Sequence, residues 1–257
     1  MALRTGEADA AGFTIIRLAS GAFTLIVISY FVGEGKSLKR GNWVSAFFLF
    51  AYAICFSFAY IGLTVAAGAL ILFGAVQFTM LTVALIRGEK PRPLEWIGLA
   101  TAITGLVYLV FPGLSSPPFF ASMLMVAAGV AWGFYTLRGK GSSDPLGETT
   151  GNFVRSVPMI AVTSIPFLAQ LNLSLRGVVL GILSGAAASG LGYTIWYAAL
   201  KHHSSTRAAV LQLSVPLIAA FGGVVLLSEP TTWRLLTSAV LILGGIGLTI
   251  FGRPRTA

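Results

Sequence analysis

Residues 66–86 read AAGALILFGAVQFTMLTVALI, and RGEKPR follows at once at 87–92. The first stretch carries no charge, and its apolar side chains surround a helix on every side instead of forming one stripe. At 1.5 Å per residue its length crosses a hydrocarbon core about 30 Å thick. Backbone polar groups in lipid must be satisfied within the segment, and the alternation of a barrel strand is absent, so the stretch predicts a helix. It is a transmembrane helix closed by a basic cluster.

Working outward, the same pattern recurs along the 257 residues. Nine spans are expected, at approximately 12–32, 42–63, 66–86, 94–112, 118–137, 152–170, 177–200, 207–227 and 232–252. The expected fold is an all-α polytopic membrane protein. Composition agrees: 56% of the chain is apolar and 10% charged, against about 25% charged in a soluble domain. The net charge of +9 is strung between spans and forms no basic face, which argues against a nucleic-acid partner. Cys55 is the single cysteine and lies inside a span, so neither a disulfide framework nor a metal-ligand spacing is expected. Residues 1–11 balance Arg4 against Glu7 and Asp9 and show no cleavable signal peptide.

Basic residues alternate across the connectors. Lys36, Lys39, Arg40, Arg87, Lys90, Arg92, Arg138, Lys140, Lys201, Arg207, Arg253 and Arg255 fall on one side, and Arg4, Arg176 and Arg234 on the other. Positive-inside bias predicts a multi-pass protein of the cytoplasmic (inner) membrane, N-terminus outside and C-terminus cytoplasmic.

The chain also repeats itself. Arg17 and Arg155 stand 138 residues apart, Tyr60/Leu63 and Tyr197/Leu200 137 apart, and Glu89 and Glu229 140 apart. Gly98 and Gly105 match Ser238 and Gly245, again 140 apart. Spans one to four are thus expected to repeat as six to nine, with residues 1–112 the first repeat and 113–257 the second. The fifth span has no partner. A five-span repeat is odd and reverses its second copy in the membrane, the inverted-repeat plan of secondary transporters. The expectation is a ten-helix plan whose first helix is missing.

Certain residues carry a family resemblance. They are the Phe13-Thr-Ile-Ile-Arg17-Leu helix start, the Tyr60/Leu63 and Tyr197/Leu200 helix ends, Val215-Pro216-Leu217 with Glu229 beyond it, and Ala131-Trp132-Gly133-Phe134-Tyr135. With these the chain resembles the EamA-type, ten-helix branch of the drug/metabolite transporter superfamily. The resemblance implies a carrier moving small metabolites, amino acids or amphipathic compounds, outward by alternating access. The other function carried forward is a truncated or non-transporting membrane protein that needs a missing helix or a partner subunit.

All eight acids lie in tails, connectors or helix ends, so no mid-depth carboxylate is expected to hold a proton or cation. Arg17 and Arg155 are the charges inside spans. Three roles are open for each: snorkelling toward the interface, gate latches in the pairs Arg17–Glu229 and Arg155–Glu89, or direct binding of a substrate carboxylate. Polar and aromatic side chains at mid-span are the substrate-binding candidates: Tyr52, Gln77, Trp132, Tyr135, Tyr193, Trp196 and Gln212. For the aromatics the plainer role is the interfacial belt, and for the glutamines interhelical hydrogen bonding. Gly177, Gly181, Gly185 and Ser189 form a small-residue ladder suited to close helix packing. Pro216 is expected to kink the eighth helix. No HExxH or GxSxG motif appears and no histidine lies at membrane depth, so the chain is not expected to be an enzyme, and no catalytic residue, metal or cofactor is assigned. The expected partners are a small-molecule substrate and the lipid bilayer.

Overall fold

The computed structural model describes residues 6–31, 40–111, 117–200, 203–218, 221 and 232–251. The elements are α1 (Ala10–Phe31), α2 (Trp43–Gly62), α3 (Val65–Ile86), α4 (Pro93–Val110), α5 (Phe119–Gly139), α6 (Pro145–Thr163), α7 (Leu175–Leu200), α8 (Ser205–Gln212) and α9 (Trp233–Phe251). Among the described residues six helices are long and apolar enough to cross a membrane: α1, α2, α3, α5, α7 and α9. The protein is an all-α polytopic membrane protein.

Helix starts follow side-chain capping, which supplies acceptors for otherwise unpaired N–H groups. Asn42 Oδ1 accepts from Ser45 N at 2.9 Å ahead of α2, and Thr64 Oγ1 from Ala67 N at 3.1 Å ahead of α3. Asp144 Oδ1 accepts from Gly147 N at 2.9 Å, with Pro145 in the first turn of α6. That cap moves the sixth helix from its expected 152–170 to Pro145–Thr163. Its first two turns, PLGETTGN, are too polar to register as a hydrophobic span, yet Thr149, Thr150 and Asn152 are buried. The α-helix passes through Pro158 and stops at Thr163, shortly before Pro166, which has no N–H with which to continue the ladder. A 3₁₀ turn, Ile165–Gln170, follows. Arg155 therefore sits about three turns into its helix, not one.

In the eighth span, Gln212 is the last residue of α8 and Leu213 forms a turn before residues 214–218 resume as helix. Pro216 has no N–H to offer the Gln212 carbonyl four residues back, so the break falls where the proline leaves the ladder unpaired. Glu229 lies outside the described residues.

The chain forms two compact units, each drawing on both halves of the sequence. One comprises Met1–Leu63 and Pro118–His202, the other Thr64–Pro117 and His203–Ala257.

In the first unit α7 runs parallel to α1 along the glycine ladder. A Cβ on Gly181 would lie 2.9 Å from Ile16 Cγ2, and one on Gly185 would meet Arg17 O and Ser20 Oγ. Close backbone approach explains why small residues stand there, since lipid gives no hydrophobic drive between helices. Residues Ser184–Leu191 of α7 adopt a π-helical winding at this contact. Helices α2 and α5 run antiparallel, with Phe48 stacked on Phe134 (ring centroids 5.3 Å apart) and Arg138 Nε donating to Ser45 Oγ at 3.0 Å.

In the second unit α4 and α9 are antiparallel. A Cβ on Gly98 would strike Gly245 O and Thr249, and one on Gly105 would reach Leu241 and Ile242. Glu95, fully buried, holds Arg207 Nε at 3.5 Å and accepts from Arg92 N at 2.8 Å.

Candidate functional site

The first unit contains a buried cation held by neutral groups. Arg17 lies two turns into α1 and is 6% exposed. Its Nε donates to Ser189 Oγ at 3.1 Å, and its Nη2 to the hydroxyls of Tyr52 at 3.2 Å and Tyr193 at 3.0 Å. Its Cζ stands 5.2 Å from the Tyr52 ring centroid and 5.4 Å from that of Phe56. Among the described residues no carboxylate comes within ion-pair distance of it, and Nη1 has no hydrogen-bond acceptor. Taking a charge out of water without a counter-charge costs several kcal/mol; here three hydroxyl dipoles and two aromatic faces offset part of that.

The fold places these groups for local reasons. Tyr52 projects from the face of α2 that meets α5. Ser189 and Tyr193 are one turn apart on α7, at the π-helical segment and just beyond it, where glycine packing presses α7 onto α1. An extra residue in the winding re-aims side chains, and such segments occur frequently at functional sites.

Aromatic rings extend from the guanidinium. Tyr193 lies 4.6 Å from Trp132, which lies 5.0 Å from Tyr52 and 5.8 Å from Tyr135. Phe56 and Tyr60 continue the row along α2 at 4.7 Å. Phe56, Tyr60 and Trp132 are only half-buried.

A second, smaller feature lies between α5, α6 and α7, beside the α5–α6 connector. Tyr135, Ser142, Glu148, Thr149, Asn152 and Tyr197 surround a void of about 10 Å³, room for one water. Asn152 Oδ1 accepts from Asn42 N at 2.9 Å and so ties α6 to the start of α2.

The seven substrate-binding candidates divide between the units. Tyr52, Trp132, Tyr135 and Tyr193 come together in the first, with Trp196 half-buried on the same helix as Tyr193. Gln77 and Gln212 belong to the second. There Gln77 Nε2 donates to Ala209 O at 2.5 Å and Gln212 Nε2 to Met80 Sδ at 3.1 Å, both buried and interhelical. Gln77 also borders an apolar cleft of about 260 Å³ lined by Leu70, Phe73, Leu99, Leu106 and Leu213.

Of the proposed latch residues, Arg155 Nη1 donates to Arg40 O at 2.7 Å and Gly151 O at 2.8 Å, and its guanidinium lies over the Trp43 ring at 6.0 Å. Glu89, in the other unit, accepts from Ser205 N at 3.0 Å and from Thr206 N and Oγ1 at 3.3 and 3.2 Å. A carboxylate at a helix N-terminus complements the helix dipole and pairs its free N–H groups. Sequence reading missed this cap, and also the burial of Glu95. The Glu95 signal was legible afterwards: Arg92-Pro-Leu-Glu95 has the spacing of a capping box, in which the third helical residue reaches back to the first N–H.

The EamA-like transporter family profile matches residues 119–251, just over half of the chain. The chain belongs to the EamA-like transporter family. An uncharacterized protein of Pseudomonas aeruginosa is 44% identical to this EamA-like chain over 98% of its length and 88% of the relative's. A Salmonella typhimurium protein named "Probable amino-acid metabolite efflux pump" is 29% identical, covering 88% of the chain and 78% of that protein. The threonine/homoserine exporter RhtA of Escherichia coli is 27% identical over 96% of the chain and 84% of its own. A solved structure, titled only as the crystal structure of a protein, superposes with a TM-score of 0.84 at 19% identity, covering 99% of this chain and 92% of that one. That likeness extends the agreement on fold to nearly the whole EamA-like chain.

Proposed function

We propose that the protein is a carrier of the cytoplasmic membrane that exports small metabolites, amino acids or amphipathic compounds, by alternating access. The observation that carries this reading is the cluster around Arg17: a guanidinium, three hydroxyls and a row of half-buried rings, buried within membrane-spanning helices. Polar groups of that kind are costly to hold in a membrane and mark solute pathways. Side chains combining stacking faces with a few fixed donors suit small organic solutes.

Two further features support the mode of action. Helices α4 and α9, expected as repeat mates, pack antiparallel through Gly98 and Gly245. An antiparallel pair is what repeats of opposite topology produce, and carriers of that plan rock one bundle against another around a central site. Gln77 and Gln212 stand on the expected mates α3 and α8. The orientation that accompanies this reading is N-terminus outside and C-terminus cytoplasmic.

The test is export from cells. A strain expressing the chain is loaded with amino acids as dipeptides, and efflux is followed by chromatography of the medium. Faster efflux of at least one amino acid than from the empty-vector strain is expected. Equal efflux for every amino acid, with the protein present in the membrane, and no gain in resistance of the strain to a panel of amphipathic compounds, would refute the proposal.

A further inference from the structure

We propose that Arg17, Tyr52 and Tyr193 form a carboxylate-binding subsite, and that the solute is a monocarboxylate with an apolar or aromatic body, amino acids included. This rests on the carrier reading for the word solute; the binding claim stands on the geometry alone.

A guanidinium has five N–H donors in a fixed fork. Nε uses its one on Ser189, and Nη2 uses both of its own on Tyr52 and Tyr193. The two on Nη1 have no acceptor among the described residues. The Tyr52 phenol oxygen accepts from Nη2, and its O–H lies beside the Tyr193 hydroxyl that accepts from the same nitrogen. One carboxylate oxygen accepting from Nη1 and the other from a tyrosine hydroxyl would complete the fork and neutralise the charge with strong, charge-assisted bonds. The fixed hydroxyls hold the guanidinium plane in place beforehand, so little ordering is needed on binding.

Charge sets the class. One cation matches one carboxylate, whereas a phosphate dianion would bring a second charge, and among the described residues no second cation stands in the Arg17 cluster. A cationic solute would be repelled. Phe56, Tyr60 and Trp132, packed around and beyond Tyr52 and each half-buried, supply aromatic surface beside the fork for an apolar body and, in an amino acid, for its ammonium group.

Binding is read by thermal stabilisation of the detergent-solubilised full chain with four probes: phenylalanine, 3-phenylpropionate, phenylalanine methyl ester and phenethylamine. Phenylalanine and 3-phenylpropionate should bind roughly 10- to 100-fold more tightly than the ester or the amine, the range of a charge-assisted hydrogen bond. Arg17→Gln should erase that preference. Arg17→Lys should retain part of it, since lysine supplies the charge without the fork. Tyr52→Phe keeps the ring and should weaken carboxylate binding several-fold. Should Arg17→Gln fail to fold, the wild-type probe series and Tyr52→Phe decide the matter without it.

The proposal is overturned if neither carboxylate stabilises the wild type, if ester and acid bind alike, or if folded Arg17→Gln keeps the preference. Counterflow of labelled phenylalanine in proteoliposomes, run on the same preparation, reads the carrier proposal separately. Selective carboxylate binding without transport would sink the carrier and leave the subsite. Transport of the acid and its ester with the same KM would do the opposite.

Discussion

One substitution, made at two glycines, should move stability in opposite directions. At Gly185 an added Cβ would collide with the carbonyl oxygen of Arg17 and with Ser20 Oγ, and would lie 2.9 Å from the Arg17 carbonyl carbon. Ordinary contact needs about 3.4 Å or more, and the obstacle is backbone, so α7 must move away from α1. Overpacking of this kind costs about 1–3 kcal/mol. The displacement also stretches the Arg17–Ser189 and Arg17–Tyr193 bonds, now 3.1 and 3.0 Å. Interhelical bonds in membranes average about 0.6 kcal/mol each, which brings the expected loss for Gly185→Ala to about 2–4 kcal/mol. At Gly74, inside α3, a Cβ would meet nothing within 4 Å. Gly74→Ala should gain up to about 1 kcal/mol through the lower backbone entropy of the unfolded chain. The assay is reversible unfolding in mixed micelles of rising SDS fraction, followed by tryptophan fluorescence. Gly185→Ala as stable as wild type, or no less stable than Gly74→Ala, would refute the close α1–α7 packing on which the Arg17 cluster depends.

Two other expectations are independent of that contact. Glu95→Ala removes the carboxylate facing Arg207 and the bond to Arg92 N; breaking a buried pair costs about 3–5 kcal/mol, and the partial exposure of Arg207 and its remaining bond to Ile250 O at 3.1 Å argue for the lower end. The same unfolding assay checks it, and the double variant Glu95→Ala/Arg207→Met should recover part of the loss. For orientation, a reporter fused after Gly141 should be active in the cytoplasm and one after Asn172 outside; the reverse pattern would overturn the N-out, C-in reading.

Arg17 illustrates how far the sequence reaches into the site. A charge within an apolar run is visible to any reader of the chain, and Tyr52, Ser189 and Tyr193 stand out as polar or aromatic residues at mid-span. That they converge on one guanidinium was not legible, because 35, 172 and 176 residues separate them from Arg17. Glutamates misled for a different reason. Glu89 and Glu95 stand at helix ends, where sequence alone does not distinguish a solvated carboxylate from a cap. Only packing shows that Glu95 is buried and that Glu89 closes the N-terminus of another helix.

Hydrophobic length, charge alternation and small-residue spacing are properties of a segment in its solvent, and the bilayer imposes them on each helix separately. The sequence by itself therefore determined that the protein is a bundle of membrane helices, and Pro216 marked where one of them breaks. Lipid is indifferent to which apolar face meets which. The pairing of helices, the start of α6 at Pro145 and the partners of each buried polar group depend on close-packed fit and hydrogen-bond satisfaction between distant segments. Those only the tertiary structure decided, including the neutral cradle of Ser189, Tyr52 and Tyr193 that holds Arg17.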